Sequence, residues 1–302
     1  MTGEKLFDVI IIGGSYAGLS AAMTLGRSLR KTLVIDSGEP CNRQTPHSHN
    51  FLTQDGNTPE YISSLGRQQV AQYDSVTFFS GLATNGIKTK DVFAITTQSG
   101  DTFRSKKLIL ASGIKDMMPE IPGFASCWGI TVIHCPYCHG YEYRGQKTGI
   151  FANGDRAAHL AGLVNNLTRK LTILTNGKAE FDAQQTGNFN RHDISVIETE
   201  IAEIEHDGGK LKAVKLKDGS SRNFDALYAA IPFKQSSDVA ELLGCELTPQ
   251  GHIKIDPLQK TSIPGVLACG DNSSPMRSVA NAVATGSFAG AIANMELVQE
   301  SF

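Results

Sequence analysis

The sequence predicts an α/β protein with two domains built on parallel β-sheets, the second domain inserted in the first. Three observations lead to this fold class. Short apolar runs rich in β-branched residues alternate with stretches of helical spacing, as is typical of strands buried between helices. A strand–turn–helix–strand pattern occurs twice in the 302 residues. Motifs near the carboxyl end of the chain are then assigned to the same domain as the first copy of this pattern.

The first copy opens the chain. Residues 7–12 (FDVIII) form a predicted strand, and the glycine-bearing turn Gly13–Gly18 follows at once. The stretch 19–29 has helical spacing, and a second apolar run over 32–35 ends at Asp36. This order and length fit a βαβ unit. Later elements of the first region are predicted as a helix at 59–73 and strands at 92–97 and 107–111.

The second copy follows a connector with proline and glycine at 114–123. Its elements are predicted as a strand at 147–152, a turn at 153–156, a helix at 157–167 and a strand at 171–175. The chain ends with a predicted strand and Gly-Asp turn at 265–272 and a long helix of small residues at 278–297. We therefore expect two Rossmann-like, three-layer ββα nucleotide-binding domains. The first comprises residues 1–115 and 247–302, and the inserted one comprises 116–246.

Charge and hydropathy exclude several classes of partner. The 28 basic and 30 acidic residues give a net charge of −2. This balance predicts neither nucleic acid nor an anionic membrane as a partner. No apolar run is long enough for a signal peptide or a membrane span. The cysteines are sparse, as in a reduced compartment, so we expect a cytoplasmic protein.

The turn Gly13–Gly18 is the first candidate binding site. The amino end of the following helix offers unpaired N–H groups and a positive dipole end, which suit a pyrophosphate. Asp36 lies at the end of the next strand, where a carboxylate can accept hydrogen bonds from ribose hydroxyls. The middle glycine of the usual GxGxxG pattern is Ser15 here. The alternative is a tight turn in an ordinary α/β domain.

The corresponding turn of the second copy, Ala152–Ala157, departs further from the pattern. The strand that should distinguish NADP from NAD ends in Asn176, Gly177 and Lys178. A 2′-phosphate favours clustered arginines, and a free 2′-hydroxyl favours a carboxylate. The sequence offers neither, so NADPH binding by this domain is uncertain, and the domain could be a scaffold.

The motif CPYC at Cys135–Cys138 admits three interpretations. A zinc site needs about four ligands, and this motif with one histidine supplies three at most, so no metal site is predicted. The pair could be structurally inert. Disulfide exchange is favoured, because Pro136 suits the first turn of a helix. Cys135 would then lie near the N-cap, where its thiolate is stabilised.

Histidine follows the motif directly. His139 could move protons during thiol–disulfide exchange, since imidazole titrates near neutrality, or it could only pack. Glu142 could orient His139 or be a solvated charge, and His134 is interpreted as structural. CPYC is also found in glutaredoxins, but those are small domains with the motif near the start. We interpret the other cysteines as buried packing residues: Cys41, Cys127, Cys245 and Cys269.

Together these motifs resemble the low-molecular-weight thioredoxin reductases over essentially the whole chain. The resemblance rests on GGSYAG, on Ala111-Ser112-Gly113 after a strand, on CPYCHG, and on Gly270-Asp271 with a segment from Arg277. It implies FAD, a homodimer, and a CxxC disulfide that faces the flavin. Cys138 would be the sulfur beside the flavin, and Cys135 would attack the substrate disulfide.

The resemblance also implies a set of residues around FAD. Gly13–Ala17 would hold the pyrophosphate, Asp36 the ribose, Asp271 the ribityl–pyrophosphate region and Arg277–Val279 the isoalloxazine. The full set of expected cofactor residues is Gly13, Gly14, Ser15, Tyr16, Ala17, Asp36, Gln44, Asn50, Ala111, Ser112, Gly113, Gly270, Asp271, Arg277, Ser278 and Val279.

The chain departs from the typical reductases at three positions. His139 stands where an aspartate follows the second cysteine, Ser278 replaces a glutamine, and Asn176–Lys178 replaces an arginine-rich cluster. CPYCHGYE is similar to the gliotoxin- and holomycin-type dithiol oxidases of the same superfamily. We therefore expect an FAD-dependent thiol–disulfide oxidoreductase with doubtful use of NADPH.

Several readings of the partner stay open at this point. The substrate would be a thioredoxin-like protein or a small dithiol or disulfide. The alternatives are an NADPH-dependent thioredoxin reductase proper and a reductase fed by ferredoxin or a second flavin. In a different class, the chain would be a flavin-binding protein without catalysis.

Overall fold

The computed structural model describes residues 6–90 and 92–302, which divide into two compact units. The first unit contains the chain up to Arg43, Phe51–Lys115 and Phe233–Phe302. The second contains Gln44–Asn50 and Asp116–Pro232. Residues 44–50 and 233–246 therefore group differently from the expected domain ranges. Val239, for example, is buried in a core cluster of the first unit.

The elements of the first unit alternate between strands and helices. Its strands are β1 (Leu6–Ile12), β2 (Thr32–Asp36), β3 (Val76–Ser80), β4 (Ala83–Thr89), β5 (Val92–Thr97), β6 (Thr102–Leu110), β7 (Ile114–Asp116, which ends in the second unit), β16 (Phe233–Gln235) and β17 (Val266–Ala268). Its helices are α1 (Tyr16–Arg27), α2 (Pro59–Val70), α7 (Val239–Leu242) and α8 (Val279–Ser301).

The elements of the second unit repeat this alternation. Its strands are β8 (Val132–Ile133), β9 (Thr148–Phe151), β10 (Leu171–Leu174), β11 (Ser195–Ile197), β12 (Ile201–Asp207), β13 (Lys210–Leu216), β14 (Ser221–Asn223) and β15 (Ala226–Ala229). Its helices are α3 (Phe124–Cys127), α4 (Pro136–His139), α5 (Gly154–Val164) and α6 (Ala183–Arg191). The predicted turn at 153–156 is already helical from Gly154 onward.

The main sheet of the first unit has the strand order β3-β2-β1-β6-β5-β4, and β17 also pairs with β6. β1 runs parallel to β2 and to β6. Val9 and Ile11 are buried in one core cluster, and Ile10 and Ile12 are buried in another. This alternation explains the continuous apolar run of β1, because both faces of the strand are covered.

Helices α1 and α8 approach each other closely through glycine. A Cβ atom on Gly286 would lie 2.1 Å from the carbonyl oxygen of Ala17, and one on Gly290 would lie 2.8 Å from that of Ala21. The small residues of α8 therefore place its backbone against α1. The packing fixes the amino end of α1, which follows the first glycine turn.

The second unit has a parallel sheet in the order β11-β10-β9-β15-β8. A separate antiparallel sheet joins β12, β13 and β14. Ile150 of β9 and Tyr228 of β15 are buried in one core cluster, and Leu227 is buried in another. The chain leaves β8 at its carboxyl end and enters the CPYC motif. Among the described residues, no helix is long and apolar enough to cross a membrane.

Candidate functional site

Cys135 and Cys138 form a disulfide at the start of α4, with their Cα atoms 5.3 Å apart. Cys135 is the N-cap of this helix and Pro136 occupies its first turn. The backbone N–H of Cys138 donates to the Cys135 sulfur at 3.1 Å. A hydrogen bond from a backbone N–H favours a thiolate over a thiol. Reduction of the pair would therefore leave Cys135 as the stabilised anion.

His139 ends α4, directly after the second cysteine. Burial is the main cause that lowers the pKa of His139 to about 4, and the neighbouring His49 lowers it further. The carboxylate of Glu142 acts in the opposite direction. The imidazole is therefore neutral near pH 7 and can accept a proton.

Glu142 contacts a different histidine from the one that the sequence suggested. Its Oε1 atom lies 3.6 Å from Nε2 of His49. The ring of His49 in turn meets the ring of His139 edge-on, with centroids 6.4 Å apart. Sequence reasoning missed His49, because no spacing rule connects it to a motif ninety residues later.

Gly140, directly after α4, packs closely against the Pro136 carbonyl and the Tyr228 side chain. A Cβ atom on Gly140 would lie 2.3 Å from the Pro136 carbonyl oxygen and 2.9 Å from the Tyr228 hydroxyl. Burial raises the pKa of Tyr228 far above its ordinary value, so the phenol stays neutral. His134 stacks on Trp128 with ring centroids 6.1 Å apart, in keeping with its structural interpretation.

The first glycine turn lies in the first unit, between β1 and α1. Gly13 has φ +105°, and a Cβ atom there would lie 2.2 Å from the Ala111 carbonyl oxygen. The N–H of Gly14 donates to Oδ1 of Asp36 at 3.0 Å. Ser15 is the N-cap of α1 but makes no side-chain capping hydrogen bond.

Among the described residues, side chains accept a backbone hydrogen bond at the start of five other helices, namely α2, α4, α5, α6 and α8. Thr58 accepts from Tyr61 at the start of α2. Asp182 forms a capping box on α6, and Ser278 accepts from Asn281 on α8. Ser15 differs from these caps in making no side-chain capping hydrogen bond.

The carboxyl-terminal candidates also lie in the first unit. Asp271 Oδ2 lies 3.9 Å from Nε of Arg277 and 3.8 Å from the Cys41 sulfur, which donates to it. The side chain of Ser278 is engaged in capping α8, and Val279 is the first residue of that helix.

Cys41 corrects one expectation. It is half-buried and contacts Asp271, so it is not a buried packing residue. Cys127, Cys245 and Cys269 are buried as expected. Burial raises the pKa of Cys269 to about 12, which makes that thiol unreactive.

Two of the expected flavin residues lie in the stretch 44–50. Gln44 and Asn50 belong to the stretch that groups with the second unit. Atoms of Gln44 would come within 3.1 Å of a Cβ atom on Gly129, which also lies in the second unit. Their contact with flavin stays a prediction.

The second glycine turn is occupied by a side chain of the protein itself. Asn153 Oδ1 accepts from the N–H groups of Gly154, at 2.9 Å, and Glu180, at 3.0 Å. Its Nδ2 donates to the Lys178 carbonyl oxygen at 2.8 Å. A carboxylate oxygen of Glu198 accepts from the N–H of Ala179 at 2.7 Å. These N–H groups are therefore already satisfied without a phosphate.

The fold and these motifs correspond to a known family. A family model described as pyridine nucleotide-disulphide oxidoreductase matches residues 7–286. The chain belongs to this family. Its enzymatic nature and its thioredoxin reductase-like type, both predicted from the sequence, are confirmed.

Curated relatives and solved structures agree with this family. The thioredoxin reductase tcpT of Claviceps purpurea is 34% identical, with 99% of this chain and 97% of that protein covered. The thioredoxin reductase aclD of Aspergillus oryzae is 34% identical, with 94% of each covered. An oxidoreductase structure from Agrobacterium tumefaciens is 39% identical, with a TM-score of 0.92 and 98% and 99% of the two chains covered. The α/β fold with two nucleotide-binding domains is confirmed.

Oxidoreductases of this thioredoxin reductase-like type bind FAD, and the first unit fits it. The cradle at Gly13 admits no side chain, the amino end of α1 is uncapped, and Asp36 closes the adjacent strand. These residues would hold the dinucleotide. Among residues 6–90 and 92–302, no group of three or more histidine, cysteine or acidic side chains could hold a metal ion.

Proposed function

We propose that this oxidoreductase is a dithiol oxidase-type enzyme, in which the Cys135–Cys138 pair exchanges electrons between FAD and a small dithiol. The observation that carries the proposal is a disulfide at the start of α4 followed directly by a neutral histidine. His139 follows Cys138 directly in the chain, and its neutral imidazole is the group that we assign to moving thiol protons during the exchange. The typical thioredoxin reductases have an aspartate where this chain has His139, and an aspartate side chain is negatively charged near pH 7.

The chemistry at α4 follows from the named residues. His139 accepts the proton of a substrate thiol, and the resulting sulfur attacks Cys135 Sγ. The bond between Cys135 and Cys138 breaks, and its electron pair leaves on Cys138 Sγ. The second substrate sulfur passes its proton to the Cys138 thiolate and bonds to the first substrate sulfur, which breaks the mixed disulfide. Cys135 leaves as a thiolate that the Cys138 N–H stabilises. FAD, when bound, supplies the two-electron acceptor that restores the disulfide.

Three features support a small substrate and little use of NADPH. Tyr137, between the two cysteines, is 69% exposed and offers a flat apolar surface beside them. Asn153 occupies the second glycine turn. Lys178 is the one basic residue of the loop from 175 to 180, too little for a 2′-phosphate.

A second candidate is an NADPH-dependent thioredoxin reductase. The match of two thioredoxin reductases over 94–99% of this chain favours it. In that case the partner would be a thioredoxin-like protein.

The remaining assignments are proposals of the same kind. FAD would bind the expected set of residues from Gly13 to Val279, Gln44 and Asn50 included. The FAD domain would comprise 1–115 and 247–302, and the CxxC domain 116–246. The enzyme would act as a homodimer in the cytoplasm.

An anaerobic titration of the purified holoprotein tests the proposal. The visible flavin band is followed while NADPH or a small dithiol such as dithiothreitol is added. We expect rapid bleaching by the dithiol and slow or no bleaching by NADPH. Stoichiometric bleaching by NADPH together with turnover of thioredoxin would instead establish the second candidate. A protein that neither reagent bleaches would contradict both.

A further inference from the structure

The turn at Gly270 and Asp271 is hydrogen-bonded to the first two turns of α8, within the first unit. The N–H of Gly270 donates to Oγ1 of Thr285 at 3.1 Å. The hydroxyl of Thr285 donates in turn to the Asn281 carbonyl oxygen, one helical turn earlier, at 2.7 Å. This hydroxyl therefore both accepts and donates, and it joins the turn to the backbone of the helix.

Asn281 connects the same hydrogen bonds to the segment that precedes α8. Its N–H donates to Oγ of Ser278, the N-cap of the helix, at 3.1 Å. Its side-chain Nδ2 atom donates to the Met276 carbonyl oxygen at 2.9 Å. Arg277 lies between these two acceptor residues in the chain. Asn281 therefore fixes the backbone on both sides of Arg277.

The turn at Gly270 and Asp271 lies close to the amino end of α1. Gly270 has φ +81°, and a Cβ atom there would lie 3.0 Å from Cβ of Ala17. A Cβ atom on Gly286, the residue after Thr285, would lie 2.1 Å from the Ala17 carbonyl oxygen. Thr285 therefore lies at the point where α8, the turn at Gly270 and the first turn of α1 meet.

The main sheet holds the other side of the turn. Asn272 is fully buried, and its Nδ2 atom donates to the Leu110 carbonyl oxygen, at the end of β6, at 2.9 Å. The carbonyl oxygen of Asn272 accepts from the N–H of Ile253 at 2.8 Å. These contacts fix the residue after Asp271, while Thr285 fixes the residue before it. The backbone of Asp271 is therefore held from both directions.

The side-chain position of Asp271 depends on this backbone. Its Oδ2 atom lies 3.9 Å from Nε of Arg277, and Arg277 belongs to the segment that Asn281 fixes. Gly270 is buried, and a buried N–H that loses its acceptor is costly, so the backbone shifts to find another partner. Loss of the Thr285 hydroxyl would therefore move Asp271 and change the position of its carboxylate relative to Arg277.

We propose that Thr285 is a positioning residue of the FAD site. Its hydroxyl sets the backbone position of Asp271 directly and that of Arg277 through Asn281. The inference rests on the proposed function in one respect, the placement of FAD against Asp271 and Arg277. A carboxylate accepts hydrogen bonds from cofactor hydroxyls only over a narrow range of distance and angle, so a small displacement of Asp271 weakens binding. Thr285 acts through the N–H of Gly270 and needs no contact with FAD.

The test measures FAD binding by the full-length holoprotein and four variants. Thr285→Val keeps the size and branching of the side chain but removes the hydroxyl, whereas Thr285→Ser keeps the hydroxyl. Asp271→Ala removes the proposed FAD contact. Thr186→Val is the matched control, because the Thr186 hydroxyl donates at 2.9 Å to the carbonyl four residues earlier in α6, in the second unit. The readouts are the Kd of FAD by equilibrium dialysis, the visible absorption spectrum of the bound flavin, and the midpoint of thermal unfolding.

We expect Thr285→Val to raise the Kd of FAD by about 10-fold, as for the loss of one buried hydrogen bond. The visible band of the flavin that stays bound should shift, because its polar surroundings change. Thr285→Ser should restore wild-type binding and the wild-type spectrum, since its hydroxyl can make the same two hydrogen bonds. Thr186→Val should match the wild type in both readouts, and Asp271→Ala should weaken binding at least as much as Thr285→Val.

The outcomes separate this inference from the proposal on which it rests. Unchanged FAD affinity in Asp271→Ala would overturn the placement of FAD at the turn, and this inference with it. Weaker binding in Asp271→Ala, with unchanged affinity and spectrum in Thr285→Val, would overturn the role of Thr285 alone, even if the unfolding midpoint of Thr285→Val falls. Equal losses in Thr285→Val and Thr285→Ser would also overturn that role, because the hydroxyl would not be the deciding group.

A second variant keeps the test decisive if Thr285→Val fails to fold. Asn281→Asp keeps the size of the side chain but removes the Nδ2 donor to the Met276 carbonyl oxygen. We expect this variant to weaken FAD binding as well, and unchanged affinity in it would overturn the proposal.

Discussion

The N–H of Gly14 donates to the Asp36 carboxylate at 3.0 Å, and this bond ties the first glycine turn to the end of the neighbouring strand. A Cβ atom on Gly14 would lie only 2.8 Å from Cβ of Asp36. The two residues therefore depend on each other across 22 positions of sequence. The bond sets the position of the turn against which FAD would lie.

The cradle at Gly13 gives the first prediction. Gly13→Ala would place a Cβ atom 2.2 Å from the Ala111 carbonyl oxygen, in a backbone with φ +105°. We expect a loss of more than about 1 kcal/mol in the free energy of unfolding and purification without bound flavin. The measurements are thermal unfolding and the flavin absorbance per protein. Gly38→Ala is the matched control, because Gly38 also has positive φ (+76°) but open space around it. Equal flavin loss in both variants would contradict the prediction.

The cysteine pair gives the second prediction. Cys135→Ser removes the sulfur that the substrate attacks, and Cys138→Ser removes the leaving sulfur, so each should lower dithiol turnover by about 10³-fold or more. The measurement is steady-state oxidation of dithiothreitol. Cys245→Ser is the control, because its thiol is buried and burial raises its pKa. Turnover that survives in Cys135→Ser would show that electrons bypass the disulfide.

Much of the fold could be predicted from local sequence. The apolar run of β1, the glycine turn and the start of α4 at Pro136 each carry a short-range signal, and the structure has all three. The predicted and the observed bounds of the elements differ by a few residues, because tertiary packing decides where a helix ends. The helix expected at 59–73, for example, ends at Val70.

The site was less predictable wherever it depends on long-range contacts. His49 and His139 are ninety positions apart, and the loop that carries His49 has no regular periodicity. The contact between Cys41 and Asp271 spans 230 positions. Such contacts arise from the fold of the whole chain, so a single sequence contains no local signal for them.

The third prediction concerns the buried side chain of His139 and the pH dependence of the free energy of unfolding. The folded pKa of this side chain, about 4, lies below the ordinary value of 6.5. Between these values the unfolded chain binds the proton and the folded chain does not. The free energy of unfolding therefore rises with pH through this window, and His139 contributes at most about 3 kcal/mol to the rise.

Denaturant unfolding from pH 4 to 7.5 checks this contribution. We expect the dependence to be weaker in His139→Gln than in the wild type, whereas His192→Gln should keep a wild-type slope at pH values below 6. Parallel curves for wild type and His139→Gln would mean that His139 titrates normally in the folded protein.

The second glycine turn gives the last prediction. Asn153 satisfies the N–H groups of Gly154 and Glu180 that a phosphate would otherwise use. Asn153→Gly frees the Gly154 N–H at the start of α5, where an anion is favoured. Lys178→Arg adds a side chain suited to a 2′-phosphate. The double variant should bind NADPH at least about 10-fold more tightly than the wild type, measured by calorimetry. Lys178→Arg alone is the control and should gain little, because Asn153 still fills the turn. Equal NADPH affinity in the wild type and the double variant would show that another feature limits the site.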